Sequence, residues 1–179
     1  CLVGSEMCIR DRSNGCAMAQ RLAMESSHIF AAVGCMSFYL LMTPVNTYSP
    51  IPIMEVHGFL DQVVLYESSV LSVPTNPGAW TDPEAIQTGA IENLYEWADL
   101  NSCTGLTPDY NDQQPLYSVQ GFSNCEDNSQ VRLVTIFGAQ HNPYAKDYPG
   151  EGPGMLLPGT QGLVQSSYIV WDFLSQFSK

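Results

Sequence analysis

Three short apolar runs, separated by helical patterns, constrain the fold of this chain more than any other feature. They span residues 29–37, 53–57 and 131–137, and none contains more than one charged residue. Runs of this length without polar alternation are typical of strands that are buried on both faces of a parallel sheet. A weaker pattern predicts a further strand at residues 117–122.

Three segments carry apolar side chains at helical spacing, namely residues 14–26, 82–100 and 163–177. Asp82 can cap the second predicted helix, and Pro83 suits its first turn. The expected inner face of the third consists of Val170, Trp171, Leu174 and Phe177. Because strands alternate with helices, the predicted fold class is α/β, with a mostly parallel sheet and crossover helices. Residues 144–162, rich in glycine and proline, predict a loop.

The charge balance is strongly acidic, with 18 acidic against 6 basic residues and a formal net charge of −12. Such a chain lacks the clustered lysine and arginine that bind a phosphate backbone or an anionic membrane surface. We therefore expect no nucleic-acid partner and no membrane partner. A neutral substrate, such as an ester or a polysaccharide, fits this charge better.

The six cysteines include no C-x-x-C pair, which argues against zinc ribbons and thioredoxin-like redox sites. Cys103 and Cys125 flank a polar, turn-rich segment and predict a disulfide, which would imply an oxidising compartment. Two buried thiols are the alternative. Asp109, Asn111 and Asp112 lack the spacing and the glycine of a calcium loop, so no metal is predicted.

Three reactive side chains stand at the ends of predicted elements. Ser13 opens the first helix, while Asp61 and His141 each follow a predicted strand. Ligand sites of open α/β sheets lie beyond the carboxyl ends of the strands. Taken singly, the three residues also fit a helix N-cap, a surface turn and a solvated loop. Their order, serine then aspartate then histidine, is the chain order of α/β-hydrolases and predicts a catalytic triad.

The other two histidines are predicted to stand apart from this triad. His57 ends the 53–57 strand and is interpreted as a structural imidazole that nearby backbone satisfies. His28 lies between polar helix residues and a strand and is treated as incidental.

The same segments resemble the polyhydroxybutyrate depolymerase/feruloyl esterase family of the α/β-hydrolase superfamily. The resemblance covers residues 13–178. Around the nucleophile and the next strand it rests on Ser13-Asn14-Gly15 with Met18 and Arg21-Leu22-Ala23, and on Phe30-Ala31-Ala32-Val33. Further along the chain it rests on His57-Gly58 with Asp61, Val64 and Tyr66, on the pair Cys103 and Cys125, on the 131–137 strand with His141, and on Trp171-Asp172-Phe173. It implies a secreted carboxylic ester hydrolase that needs no cofactor and no metal. In such an enzyme Ser13 would attack the ester and His141 would take its proton. Asp61 would orient the imidazole, and the Asn14 N–H would bind the oxyanion.

The sequence departs from this family at three places. Asp11 stands where the first glycine of Gly-x-Ser-x-Gly belongs, Gln140 replaces the glycine before the histidine, and Asn142-Pro143 stands where Trp-Pro is usual. Residues 5–12 are polar and predict no strand before Ser13. The first twelve residues resemble translated sequencing-adapter sequence. We therefore expect residues 1–12 to be a non-native leader, and residues 13–179 to be the C-terminal part of a single catalytic domain.

This fragment hypothesis has consequences for the fold and the activity. The family's strands before the nucleophile would be missing, together with a second oxyanion donor. The 29–37 strand would then have an unpaired apolar edge. We expect the isolated chain to be inactive and poorly soluble, whereas a full-length parent would be active.

Substrate choice is the least constrained expectation. Phe38, Tyr39 and Trp80 lie in or near loops and are predicted to line an acyl pocket, with ordinary core packing as the alternative. Plant cell-wall esters, such as feruloyl esters or acetylated xylan, and hydroxyalkanoate polyesters all remain open as partners. Two rival functions also remain open, a peptidase of the same fold and a non-catalytic polymer-binding remnant.

Overall fold

The computed structural model describes residues 2–3, 6–40, 44–67, 89–141, 144 and 164–178. Within these residues seven strands form one sheet in the order β1-β2-β3-β4-β7-β6-β5. The strands are β1 (Leu2–Val3), β2 (Glu6–Arg12), β3 (Phe30–Met36), β4 (Ile53–Gly58), β5 (Tyr110–Gln113), β6 (Tyr117–Phe122) and β7 (Val131–Ile136). The helices are α1 (Asn14–Glu25), α2 (Ala90–Leu100) and α3 (Ser166–Leu174).

The sheet is mixed rather than mostly parallel. Strands β2, β3, β4 and β7 run parallel to one another, whereas β1, β6 and β5 pair antiparallel at the two sides. Antiparallel neighbours need only a short turn, and β5, β6 and β7 are indeed joined by short connections without an α-helix. The α/β class is confirmed, but crossover helices account for only part of the sheet.

Both faces of the sheet are buried at the central strands β3, β4 and β7. Alternate residues of each central strand point to opposite faces and belong to different core clusters. Val33 and Cys35 belong to the cluster on the face that α1 and α2 cover. Ala32 and Met36 belong to the other cluster, which α3 covers. This arrangement explains the uninterrupted apolar runs of β3, β4 and β7, because a strand covered on both faces has no solvent side.

The predicted helices are found, with two differences. The first part of the second predicted helix, including Asp82 and Pro83, lies outside the described residues, as does most of the predicted 144–162 loop. In α3, Val170 and Leu174 are buried as expected, but Trp171 is 46 % exposed and Phe173 is buried instead. Residues 170, 173 and 174 share one face at helical spacing, and position 171 is rotated away from that face.

The expectation that no strand precedes Ser13 was wrong. Residues 6–12 form β2, which pairs in parallel with β3 from Cys8 opposite Ala32 to Arg12 opposite Met36. Strand pairing uses backbone groups, so a polar segment with a partially exposed surface can join a sheet in spite of its composition. The predicted open edge of β3 is therefore absent, because β2 and β4 flank it. The polar strand β5 was missed for the same reason.

Two disulfides are present in the described residues. Cys103–Cys125 is the predicted pair and closes the segment that carries β5 and β6. Cys16–Cys35 links α1 to β3. No sequence pattern indicated the second pair, because both cysteines lie in apolar patterns that also suit core residues. None of the helices in the described part of the chain is long and apolar enough to cross a membrane.

Removing the Cys103–Cys125 disulfide by Cys103→Ala/Cys125→Ala should lower the free energy of unfolding. The cysteines are 22 residues apart, and chain-entropy arguments assign about 3 kcal/mol to a loop of that order. Urea unfolding monitored by tryptophan fluorescence measures the change. Cys8→Ala is the matched control, since Cys8 takes part in neither disulfide and should change the midpoint far less. Equal effects of the two variants would contradict the prediction.

Candidate active site

Ser13 lies in a sharp turn between β2 and α1. Its backbone has φ 55° and ψ −127°, an unusual conformation for a residue other than glycine. Hydrogen bonds hold it there: its N–H donates to the Met36 carbonyl at 2.8 Å, and its own carbonyl accepts from Cys16 and Ala17. The hydroxyl makes no helix-capping hydrogen bond. The simple N-cap interpretation of Ser13 is therefore not what the geometry shows.

The hydroxyl instead meets His141. The Nε2 atom of His141 lies 2.9 Å from Ser13 Oγ, and its Nδ1 lies 2.8 Å from Asp61 Oδ2. An ionised carboxylate can only accept, so the proton between His141 and Asp61 belongs to Nδ1, and Nε2 is left as an acceptor for the Ser13 hydroxyl. The structure thus brings together the three side chains predicted from the sequence, at the carboxyl ends of β2, β4 and β7.

Asp61 is held from several directions. It is buried, and its Oδ1 accepts the N–H groups of Val63 and Val64 at 2.8 and 2.9 Å. Its own N–H donates to the Gly58 carbonyl at 3.1 Å. With Oδ1 fixed by the turn, Oδ2 is presented to His141, so the carboxylate has one defined orientation.

Close backbone approach joins the loops that carry Asp61 and His141. A Cβ on Gly58 would lie 2.5 Å from the Ala139 carbonyl oxygen and 2.8 Å from that of Gln140. The Leu60 N–H also donates to the Ala139 carbonyl at 2.9 Å. Only glycine fits at position 58 without moving the backbone just before His141.

Two residues that the sequence analysis did not single out support this region. Tyr144 is fully buried, and its hydroxyl accepts the Gly58 N–H at 2.8 Å and lies 2.5 Å from Ser37 Oγ. Burial raises the pKa of Tyr144, so the phenol stays neutral. Arg12 Nη2 donates to the His141 carbonyl at 3.1 Å. The position of Arg12 next to Ser13 in the sequence could have indicated its role, whereas no sequence pattern indicated a role for Tyr144.

His57 has the predicted backbone contact and a charged partner as well. Its Nε2 lies 2.8 Å from the Val64 carbonyl, and its Nδ1 lies 2.5 Å from Glu55 Oε1. Burial acts to lower the pKa of His57, but the charge and hydrogen bond of Glu55 prevail and raise it. The need of Glu55 for a buried partner could have been predicted from the sequence, because a carboxylate inside an apolar strand must have one.

Comparisons with known proteins bear on this site. No protein-family model matches the chain. The chain is similar to feruloyl esterase B of Piromyces equi. The two are 31 % identical over 129 residues, which cover 72 % of this chain and 18 % of that protein. The chain therefore spans less than a fifth of the length of this relative, and the similarity supports a relationship to carboxylic ester hydrolases.

The remaining predicted site residues lie in different surroundings. Asn14 is the first residue of α1, where backbone N–H groups lack intrahelical acceptors. Phe38 and Tyr39 are buried in the core, and the Tyr39 ring stacks on His57 at 5.6 Å between centroids. Trp80 lies outside the described residues. An oxyanion role for Asn14 and a substrate role for the aromatic residues stay predictions.

The described residues contain no group of three or more His, Cys, Asp or Glu side chains arranged to hold a metal ion. The acidic cluster at Asp109 has a structural use instead. Asp109 Oδ1 accepts the Ser123 N–H at 2.8 Å, and Asp109 Oδ2 accepts from Asn124 Nδ2 at 2.5 Å. These contacts tie the segment before β5 to the residues after β6.

Gly58→Ala should disturb the site more than its size suggests. The new methyl group meets backbone oxygens of residues 139 and 140, so the loop carrying His141 must move. We expect a loss of about 1–3 kcal/mol in unfolding free energy, together with a weakened contact between His141 and Asp61. Urea unfolding and the chemical shift of the His141 Nδ1 proton measure the two effects. An unchanged proton signal in the folded variant would contradict this account.

Proposed function

We propose that this chain belongs to a serine carboxylic ester hydrolase of the α/β-hydrolase fold, with Ser13, His141 and Asp61 as its catalytic triad. The observation that carries the proposal is the imidazole of His141 placed between the serine hydroxyl and the carboxylate, at 2.9 and 2.8 Å. The strained turn at Ser13 and the similarity to feruloyl esterase B support the same conclusion.

The proposed reaction follows from the hydrogen bonds. Ser13 Oγ attacks the ester carbonyl while His141 Nε2 takes the hydroxyl proton. Asp61 stabilises the resulting imidazolium through Nδ1. The carbonyl oxygen becomes an oxyanion, which the Asn14 N–H and the positive end of α1 stabilise. His141 then protonates the leaving alcohol, and water releases the acyl group from Ser13 by the reverse sequence.

The proposed substrate is a neutral ester, and a plant cell-wall ester such as a feruloylated polysaccharide is the first candidate. The name of the relative favours feruloyl esters over acetylated xylan and hydroxyalkanoate polyesters. The two disulfides fit an extracellular enzyme, so we propose that the protein is secreted. No cofactor is required by this chemistry.

The proposed domain organisation keeps residues 13–179 as part of one catalytic domain and residues 1–12 as a non-native leader. Although residues 6–12 pair with β3, strand pairing through the backbone accepts many sequences. Sequencing of the genomic locus tests the leader: an uninterrupted reading frame across Arg12 and Ser13 would refute it.

A fluorophosphonate probe should label Ser13, and Ser13→Ala should abolish the labelling. The probe reacts with a serine only when a base activates it, so labelling followed by peptide mass spectrometry reports the triad directly. The isolated chain should show no clear turnover of p-nitrophenyl acetate or methyl ferulate, because an enzyme with one instead of two oxyanion donors is slower by about 10²–10³. A folded chain whose Ser13 is inert would support the non-catalytic alternative. Cleavage of a p-nitroanilide but of neither ester would favour a peptidase.

Asp61→Asn should slow the labelling of Ser13 by about 10³–10⁴, because the amide favours the wrong tautomer of His141 while preserving the shape of the site. The second-order rate constant of labelling measures the effect. Asp99→Asn, which changes an exposed carboxylate on α2, is the matched control and should react at the original rate. A rate for Asp61→Asn within threefold of the control would speak against a role for Asp61.

A further inference from the structure

Beneath the proposed triad, two buried carboxylates flank one buried imidazole. Glu55 and Asp61 are 2 % and 3 % exposed, and His57 between them is fully buried. His57 Nδ1 lies 2.5 Å from Glu55 Oε1, and its Nε2 lies 3.6 Å from Asp61 Oδ2. The mechanism of ester cleavage described above does not use this histidine.

The hydrogen-bond partners of His57 and the charge of Glu55 together favour one protonation state of the ring. Its Nε2 lies 2.8 Å from the Val64 carbonyl, which can only accept, so Nε2 carries a proton. Its Nδ1 faces Glu55, whose other oxygen accepts from Asn93 Nδ2 at 3.0 Å. Asn93 is oriented in turn, because its carbonyl oxygen accepts the Leu40 N–H at 2.9 Å. Burial acts to lower the pKa of His57, but the charge and hydrogen bond of Glu55 raise it, so the arrangement favours an ionised Glu55 that accepts from a His57 ring donating through both nitrogens.

We propose that His57 is a positioning residue for the triad: as a buried imidazolium, it holds the Asp61 turn through Val64 and weakens the attraction of Asp61 for the proton of His141. The inference rests on the proposed function. It places the positive charge of His57, which the neighbouring Glu55 carboxylate maintains, 3.6 Å from the Asp61 oxygen that His141 contacts.

The effect acts through a single oxygen atom. Asp61 Oδ2 lies 2.8 Å from His141 Nδ1 and 3.6 Å from His57 Nε2. A cation beside this oxygen offsets part of its negative charge, so the imidazolium form of His141 gains less from Asp61.

The neighbouring titratable groups do not supply the same charge. The Tyr39 ring stacks on His57, and the Tyr66 ring meets it edge-on, and burial raises the pKa of both phenols so that they stay neutral. Among the described residues, further charged or titratable groups near the site include Arg12, which donates to the His141 carbonyl, and Tyr144, whose hydroxyl accepts from Gly58. Glu67 and Glu92 act through their charges on Tyr66, and the Asp11 carboxylate lies against Gly15. Of these groups, only Glu92 is changed below, and only in the control variant.

Glu55→Gln removes the charge with little change of shape. The glutamine amide can donate to His57 Nδ1, while its carbonyl oxygen still accepts from Asn93. His57 should then be neutral, with its Nε2 proton still on the Val64 carbonyl. Glu92→Gln is the matched control, because it removes an exposed carboxylate of α2 and leaves the Glu55–His57 pair intact.

Imidazole ¹⁵N NMR of the purified chain tests the proposal without requiring turnover. In the unaltered chain at neutral pH, His57 should show two protonated nitrogens. In Glu55→Gln the midpoint of His141 titration should rise by about one pH unit, and it should be unmoved in Glu92→Gln. The acidic limb of the pH dependence of Ser13 labelling by the fluorophosphonate probe should shift by the same amount.

Two results would overturn the proposal. One is a neutral His57 ring in the unaltered chain, a measurement that needs no variant. The other is a neutral His57 in Glu55→Gln while the titration midpoint of His141 stays unchanged. If Glu55→Gln does not fold, His57→Gln replaces it, since its amide can still donate toward the Val64 carbonyl, and the same rise in the midpoint is expected. Absence of Ser13 labelling would count against the proposed function alone, because the NMR titration would still report the charge coupling.

Discussion

Parallel pairing of β2, β3, β4 and β7 is the constraint on which the rest of this structure depends. Because these strands point the same way, the residues that follow β2, β4 and β7 emerge at one edge of the sheet. Ser13, Asp61 and His141 are far apart in the chain and meet there within hydrogen-bonding distance. Core packing on both faces fixes the positions of the strands. The geometry of the site is therefore set by this packing and not by the loops alone.

Local features then refine what the sheet makes possible. The positive φ of Ser13 directs its hydroxyl away from the helix and toward His141, at the cost of backbone strain that the hydrogen bond to Met36 helps to offset. The absence of a side chain at Gly58 lets the Asp61 turn approach the backbone before His141.

The buried charges beneath the site follow a different rule. A carboxylate inside a strand covered on both faces is unfavourable unless a partner satisfies it. Glu55 has two partners, His57 and Asn93, and the three form a connected network that reaches the Asp61 turn. Such a network links the core to the proposed triad, because a change of charge at Glu55 alters the charge of His57 and thereby the electrostatic environment of Asp61.

Apolar runs and helical spacing in the sequence by themselves determined β3, β4, β6, β7 and α1 to within two residues. The order of Ser13, Asp61 and His141 predicted which side chains would meet. The tertiary structure alone decided that the polar residues 6–12 form β2, that Cys16 pairs with Cys35, and that Glu55 and Tyr144 support the site. The reason is physical. A buried strand or a helix face leaves a periodic signature in the chain, whereas backbone pairing of a polar edge and contacts between distant side chains depend on neighbours that no local pattern records.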